Sequence, residues 1–187
     1  MERAQKQAII RDLSKKMVFL AGPRQAGKTT LSKEIAKEFS SSVYLTYDRL
    51  EDRKIIQQEG WLPNVELIIL DEIHKMPKWK NYLKGVYDTK PEGQKILVIG
   101  SARLEIYHRV EDSLAGRYFL HHLLPLSPSE CKKVGLETTL DRFLERGGFP
   151  EPFLTSDLVD ANRWRNQYID SLLRTDVLEF DTIHNIY

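Results

Sequence analysis

The chain carries a single cysteine, Cys131, among its 187 residues. No intrachain disulfide can form, and a reducing compartment is the natural setting. Cys131 lies in a Ser-Glu-Cys-Lys-Lys stretch with no partner ligands nearby and reads as a passenger thiol. Long apolar runs are missing too. None approaches the roughly 20 residues of a membrane span. The opening residues, with Glu2, Arg3, Lys6, Arg11 and Asp12, lack the apolar core of a signal peptide. The expectation is a cytoplasmic protein with no membrane partner. Neither charge dominates: 28 Lys and Arg against 27 Asp and Glu leave a net +1. Nucleic acid as a partner therefore has no support from composition, although a local basic face would escape such a count. His74, His108, His121 and His122 show no metal-ligand spacing with other His or Cys, which leaves them as structural or surface residues. Internal repeats and low-complexity tracts are absent.

What is present is ordinary for a globular protein, 41% hydrophobic and 29% charged, at a length that suits one substantial domain or a domain with a small appendage. One stretch is not ordinary. Gly22-Pro23-Arg24-Gln25-Ala26-Gly27-Lys28-Thr29 spells G-x-x-x-x-G-K-T, directly after the apolar run Met17 to Ala21 and directly before a helical pattern. Four constrained positions coincide by accident in a chain this long with a probability on the order of one per cent, taking glycine at about 7%. The strand-loop-helix context lowers it further. The glycines admit backbone conformations and close approaches that a Cβ would block. Successive N–H groups of the loop can then turn inward as an anion nest at the positive end of the following helix. Lys28 is placed to bridge the β- and γ-phosphates of a nucleotide, the Thr29 hydroxyl to ligate Mg²⁺, and Thr30 to contact the α-phosphate.

Around the loop, apolar and helical patterns alternate. The first ten or so residues read as a helix with Ala4, Ala8 and Ile9 on one side. Leu31, Ile35 and Phe39 recur at helical spacing after the loop. Further strands are expected at Val43 to Thr46, Val65 to Leu70, Ile96 to Ile99 and Tyr118 to Leu124, with helices near Glu51 to Gln58, Trp79 to Tyr87 and Leu104 to Val110. This alternation predicts an open α/β sheet with a parallel core. The character changes at Pro125. Ser127-Pro128-Ser129-Glu130 has the form of a capping box with proline at the first helical position. From there only helices are expected: Leu140 to Arg146, stopped by Gly147-Gly148, and a long one from about Asp157 striped by Ala161, Trp164, Tyr168, Ile169, Leu172 and Leu173. The reading is an α/β core over residues 1–125 and a small helical lid over 126–187, the open stripe suggesting a continuation into a further C-terminal domain.

Leu67-Ile68-Ile69-Leu70-Asp71-Glu72 supplies the second half of the expected site. A strand ending in Asp puts a carboxylate at the carboxyl edge of the sheet, where Asp71 would hold Mg²⁺. Glu72, one residue on, suits deprotonation of an attacking water. Ser101, after the fourth strand, would reach the γ-phosphate or that water, or simply cap a helix. Arg103 and Arg117 are the arginines to follow, since a guanidinium on the γ-phosphate stabilises the transition state. Lys78 and Lys80 flank Trp79, a pattern that can bind single strands but more simply starts a solvated helix.

With these residues assembled, the chain resembles prokaryotic AAA-type P-loop ATPases, in particular a group carrying a C-terminal domain of unknown function. The blocks that carry the likeness are residues 22–31, Leu-Asp-Glu-Ile-His-Lys (70–75), Ile-Gly-Ser-Ala-Arg-Leu (99–104) and Ser-Leu-Ala-Gly-Arg-Tyr (113–118). Leu-Pro-Leu-Ser (124–127), Gly-Gly-Phe-Pro-Glu (147–151) and Arg174-Thr175-Asp176-Val177 complete them. The resemblance implies a three-layer sandwich with a five-stranded, mainly parallel sheet in the order 5-1-4-3-2, followed by a helical lid. It also implies a sensor role for Ser101 and an arginine-finger role for Arg117, in cis or in trans. Family members are generally about twice this length, with a downstream domain often nuclease-like in fold.

The function expected is Mg²⁺-dependent ATP binding and hydrolysis that drives a conformational change. The alternative is a nucleotide-gated interaction or signalling module with negligible turnover. A small-molecule kinase is disfavoured by Glu72, and a regulatory GTPase by the lack of an Asn-Lys-x-Asp motif and of Asp-x-x-Gly at Asp71. Expected partners are ATP and ADP, with a second copy of the chain or a missing C-terminal domain beyond them.

Overall fold

Met17–Ala21 (β1) is an unbroken apolar run, and all five of its residues are buried. A strand buried on both faces needs a neighbour on each edge and helices on each side. The computed structural model of the chain, which describes residues 3–101, 114–136 and 138–173, supplies both. In chain order the elements are helix α1 (Lys6–Leu13), β1, α2 (Lys28–Ala36), β2 (Ser42–Thr46), α3 (Leu50–Gln57), β3 (Leu67–Asp71), α4 (Trp79–Thr89), β4 (Lys95–Gly100) and β5 (Tyr118–His122). The five strands form one sheet in the order β2-β3-β4-β1-β5. Every pairing is parallel, so the sheet is parallel throughout, in the strand order that the resemblance implies.

Strand alternation sorts the core into two layers. On one face Met17, Phe19, Ala21, Leu45, Ile68, Leu70, Ile96 and Val98 pack with Ile56 of α3 and with Trp79, Leu83 and Val86 of α4. On the other, Val18, Leu20, Leu67, Ile69, Leu97 and Ile99 pack with Ile9 and Leu13 of α1 and Leu31 and Ile35 of α2. Each Val, Leu, Ile, Phe or Met side chain among them contributes about 1.5–3 kcal/mol by leaving water. This holds the carboxyl ends of β1, β3 and β4 level: Asp71 pairs with Ile99, and Ala21 with Gly100.

Two local expectations shift. Helix α1 starts at Lys6, and Ala4 lies exposed outside it, the inner face being carried by Ile9 and Leu13. Trp79 is 7% exposed and lies inside the core, so it offers no platform for stacking bases. The helix expected at Leu104 to Val110, together with Arg103, His108 and Arg174 to Val177, lies outside the described residues.

The chain divides into two compact units, Met1–Leu124 and Pro125–Tyr187. The described part of the second is helical: α5 (Pro128–Lys133), α6 (Leu140–Arg146), α7 (Pro150–Leu154) and α8 (Leu158–Leu172). Ser127 caps α5 through a complete capping box with Glu130. Leu126, Cys131 and Phe153 form its small core. Cys131 is buried there and takes part in no disulfide. A second cluster stacks Trp164 on Tyr168, with Phe149 tilted against both. Beyond it the α8 stripe emerges, Ile169 being 50% and Leu173 56% exposed.

Candidate nucleotide-binding site

The loop between β1 and α2 is shaped by backbone geometry that few residues tolerate. Gly22 has φ 155°, and a Cβ placed there would lie 2.2 Å from the Leu123 carbonyl oxygen, so the loop runs flush against the chain leaving β5. Gln25 and Gly27 follow with φ 61° and 96°. Gly27 then opens α2, whose N-terminus has no side-chain cap, leaving its first N–H groups for an external acceptor. The Lys28 side chain folds back over the loop, its Nζ donating to the carbonyls of Gly22 (2.8 Å) and Pro23 (2.7 Å). Burial lowers the Lys28 pKa, with Glu72 and Asp71 pulling the other way. Arg24, Gln25, Thr29 and Thr30 are exposed around this cradle, and Ala26 is buried beneath it.

A residue with no motif of its own braces the loop. Arg3, 8% exposed, donates from Nη1 to the Ala26 carbonyl (2.9 Å) and from Nη2 to the Leu124 carbonyl (2.5 Å). Only the fold brings a side chain from the start of the chain under a loop more than twenty positions on, so local pattern reading had no means of finding it.

The acidic side of the site comes from β3. Asp71 closes the strand, and burial raises its pKa, partly offset by a hydrogen bond from the Tyr44 hydroxyl to Oδ2. Tyr44, on β2, was also missed by sequence reasoning. The signal available was register, since Tyr44 pairs with Ile69 and so shares the face that Asp71 continues. Glu72 turns sharply, with φ 54°, while its N–H donates to the Ile99 carbonyl (3.0 Å). Its Oε2 lies 3.3 Å from Lys75 Nζ and 3.5 Å from His74 Nε2. Lys75 in turn donates to both carboxylate oxygens of Asp48, at 2.7 and 2.8 Å. Burial works to lower the Lys75 pKa, but the bonds to Asp48 and Glu72 carry it above its usual value.

The remaining candidates divide. Ser101 follows β4 at the same carboxyl edge as the loop. Arg117 immediately precedes β5, level with the residue before β1, and therefore stands at the amino edge of the sheet. There it forms a two-pronged pair with Asp88 of α4, at 2.8 and 3.1 Å. The fold does not bring it to its own loop.

The sequence profile of the AAA domain family matches residues 14–132, from the turn before β1 through most of α5. The chain belongs to that family. Two relatives of this AAA domain are uncharacterized proteins. One, of Mycobacterium tuberculosis, is 30% identical over 164 residues, covering 87% of this chain and 36% of that protein. The other, of Methanocaldococcus jannaschii, is 26% identical over 217 residues, covering 100% of this chain and 48% of that protein. The AAA domain chain thus spans less than half the length of these curated relatives. Among solved structures, a Walker-type ATPase of Pyrococcus abyssi superposes with a TM-score of 0.58 at 14% identity, covering 97% of this chain and 75% of that one. At that identity the likeness speaks for the fold, a P-loop NTPase sandwich. Among the described residues of the AAA domain chain, no helix is long and apolar enough to cross a membrane.

The residues present fit a nucleotide with a hard divalent cation. Desolvation disfavours the charged forms of both Lys28 and Asp71, so an anion beside the first and a cation beside the second relieve both at once. A hydroxyl and a carboxylate, from Thr29 and Asp71, are the oxygen donors Mg²⁺ takes when phosphates complete its shell.

Proposed function

We propose that the chain binds ATP with Mg²⁺ at residues 22–30 and hydrolyses the β–γ phosphoanhydride, with turnover driving a conformational change. One juxtaposition carries this reading: the Lys28 ammonium, held over the loop, is within electrostatic reach of both Asp71 and Glu72, two strands away. Membership of the AAA domain family supports it at the coarser level of nucleotide binding. Mg²⁺, held by Thr29 and Asp71, would neutralise charge on the β- and γ-phosphate oxygens. Lys28 would exchange the carbonyls of Gly22 and Pro23 for phosphate oxygens, and Thr30 would contact the α-phosphate. Glu72 would accept a proton from the attacking water. As the water oxygen bonds to the γ-phosphorus, the bond to the β-phosphate oxygen breaks, giving ADP and phosphate. Ser101 would hydrogen-bond the γ-phosphate or that water.

Arg117, at the far edge of its own sheet, would serve as a finger only for a neighbouring copy. Mixing Lys28→Ala and Arg117→Ala chains, each inactive alone, would then restore part of the activity. The unit from Pro125 onward is the proposed lid, and the remainder of a longer protein is a second proposed partner.

A nucleotide-gated module with negligible turnover is favoured by a different observation. Glu72 sits in the left-handed region with its carboxylate engaged by Lys75 and His74, so the base is occupied in this state. Specific ATPase activity across a wide range of protein concentration separates the two, with Glu72→Gln as the blank. Activity that vanishes in the mutant establishes the enzyme, and a rise with concentration establishes completion by self-association. ATP binding that Lys28→Ala abolishes, without turnover above the mutant, would leave the gated module.

A further inference from the structure

Tyr44 lies in the middle of the edge strand β2, half-buried, its ring packed against the layer formed by α1 and α2 and the Lys33 ammonium 5.7 Å above it. Phenylalanine would fill the same space. The hydroxyl is what differs, and it makes one specific contact: it donates to Asp71 Oδ2. The phenol thus holds one of the two residues to which the Mg²⁺ site has been assigned.

We infer that Tyr44 is a positioning residue for the divalent cation, fixing the Asp71 carboxylate in the orientation in which it offers oxygen lone pairs to the metal. The inference rests on the Mg²⁺–nucleotide reading above. Proton accounting gives its physical content. A phenol has one proton to donate and can accept in return. Its proton goes to Asp71 Oδ2, which leaves the other carboxylate oxygen facing away from the phenol. Metal ligands are commonly oriented in this way by partners outside the coordination sphere, and losing such a partner typically costs about 10–100-fold in metal affinity.

The test uses Mn²⁺ as the probe, titrated into the chain with ADP and followed by its electron paramagnetic resonance signal. Tyr44→Phe and Asp71→Asn are run beside the wild type. The expected result is Mn²⁺ binding weakened about 10–100-fold in Tyr44→Phe, with ADP affinity in EDTA unchanged and the chain melting within a few degrees of wild type. Mn²⁺ affinity retained in Tyr44→Phe while Asp71→Asn loses it would overturn the inference and leave the metal site standing. So would an equal loss of ADP affinity in EDTA, which would place the effect on the phosphate loop. Asp71→Asn binding Mn²⁺ as tightly as wild type would instead remove the site assignment, and the role of Tyr44 with it.

Discussion

Substituting Gly22 by alanine tests whether the loop is as tightly walled as its geometry implies. The new methyl would lie 2.2 Å from the Leu123 carbonyl oxygen and 3.1 Å from its carbon, where non-bonded atoms settle near roughly 3.5 Å. The obstacle is backbone, so no rotamer change removes it. Neither wall can retreat freely, because the Leu123 N–H donates to the Ala21 carbonyl (2.8 Å) and Arg3 holds both Ala26 and Leu124. Overpacking of this kind costs about 1–3 kcal/mol, and holding a non-glycine residue at φ 155° adds about 1–3 kcal/mol. A loss of about 2–6 kcal/mol follows. At roughly 2–4 °C per kcal/mol for a chain of this size, Tm falls by about 4–24 °C. Circular-dichroism melting gives the stability, and calorimetric titration with a non-hydrolysable ATP analogue gives the binding. Both should fail together, since the loop can relieve the clash only by leaving its cradle. A melting temperature within about 2 °C of wild type, less than 1 kcal/mol on that scale, would refute the reasoning. It would mean that the approach to Leu123 is not a constraint.

Arg3→Met keeps an apolar stem under the loop but removes two charge-assisted bonds, one to the buried Ala26 carbonyl and one to the part-buried Leu124 carbonyl, at about 1.5–3 kcal/mol each. Urea unfolding should show a loss of about 3–6 kcal/mol, and titration a weaker nucleotide; unchanged values would mean that the brace is idle. Lys75→Met releases Glu72 from a partly exposed pair worth about 0.2–1 kcal/mol. The kcat for ATP should therefore rise by up to about 5-fold with nucleotide affinity unchanged, whereas a fall would show that Lys75 orients the base rather than restraining it. Asp71→Asn should stabilise the nucleotide-free chain while abolishing its metal response. Burial raises the Asp71 pKa in the folded state above its unfolded value of 3.8, so the stability it contributes is complete below that value and lost as pH rises through the raised one. The melting advantage of the mutant should thus widen upward from about pH 4 and then level off. Melts between about pH 4 and 8 would expose the error if the gap stayed flat or narrowed.

Much of the fold was legible because its signals are local. The run Met17 to Ala21, the glycine-bounded loop and the strand ending in Asp71 each announce themselves within a few residues. The Ser127 capping box and the helix Leu140–Arg146 do the same in the second unit. What escaped was set by tertiary contact. Tyr44 is an unremarked strand residue until register brings it onto the face of Asp71, and Arg3 has no meaning until β5 closes beside β1. Arg117 teaches the converse. Its place immediately before a parallel strand already puts it at the amino edge, away from its own loop, while the chemistry of a guanidinium on phosphate, and then the resemblance, drew it toward the nucleotide in cis or in trans. Ala4 was drawn into α1 by its apolar class alone, but a small side chain is no anchor when Ile9 and Leu13 are available to the core.

The phosphate loop is finished from far away in the chain. Arg3 reaches the Leu124 carbonyl across 121 positions, and β1 gains its second neighbour only when β5 arrives. A ribosome adding about 5–20 residues each second would leave the loop without its far wall for roughly 5–19 s after its own residues have been made. During that interval the nascent chain holds the complete nucleotide motif but not the cradle. Nucleotide would therefore report on late assembly: it binds tightly only once the last strand has docked, and from that moment it stabilises the closed sheet by mass action.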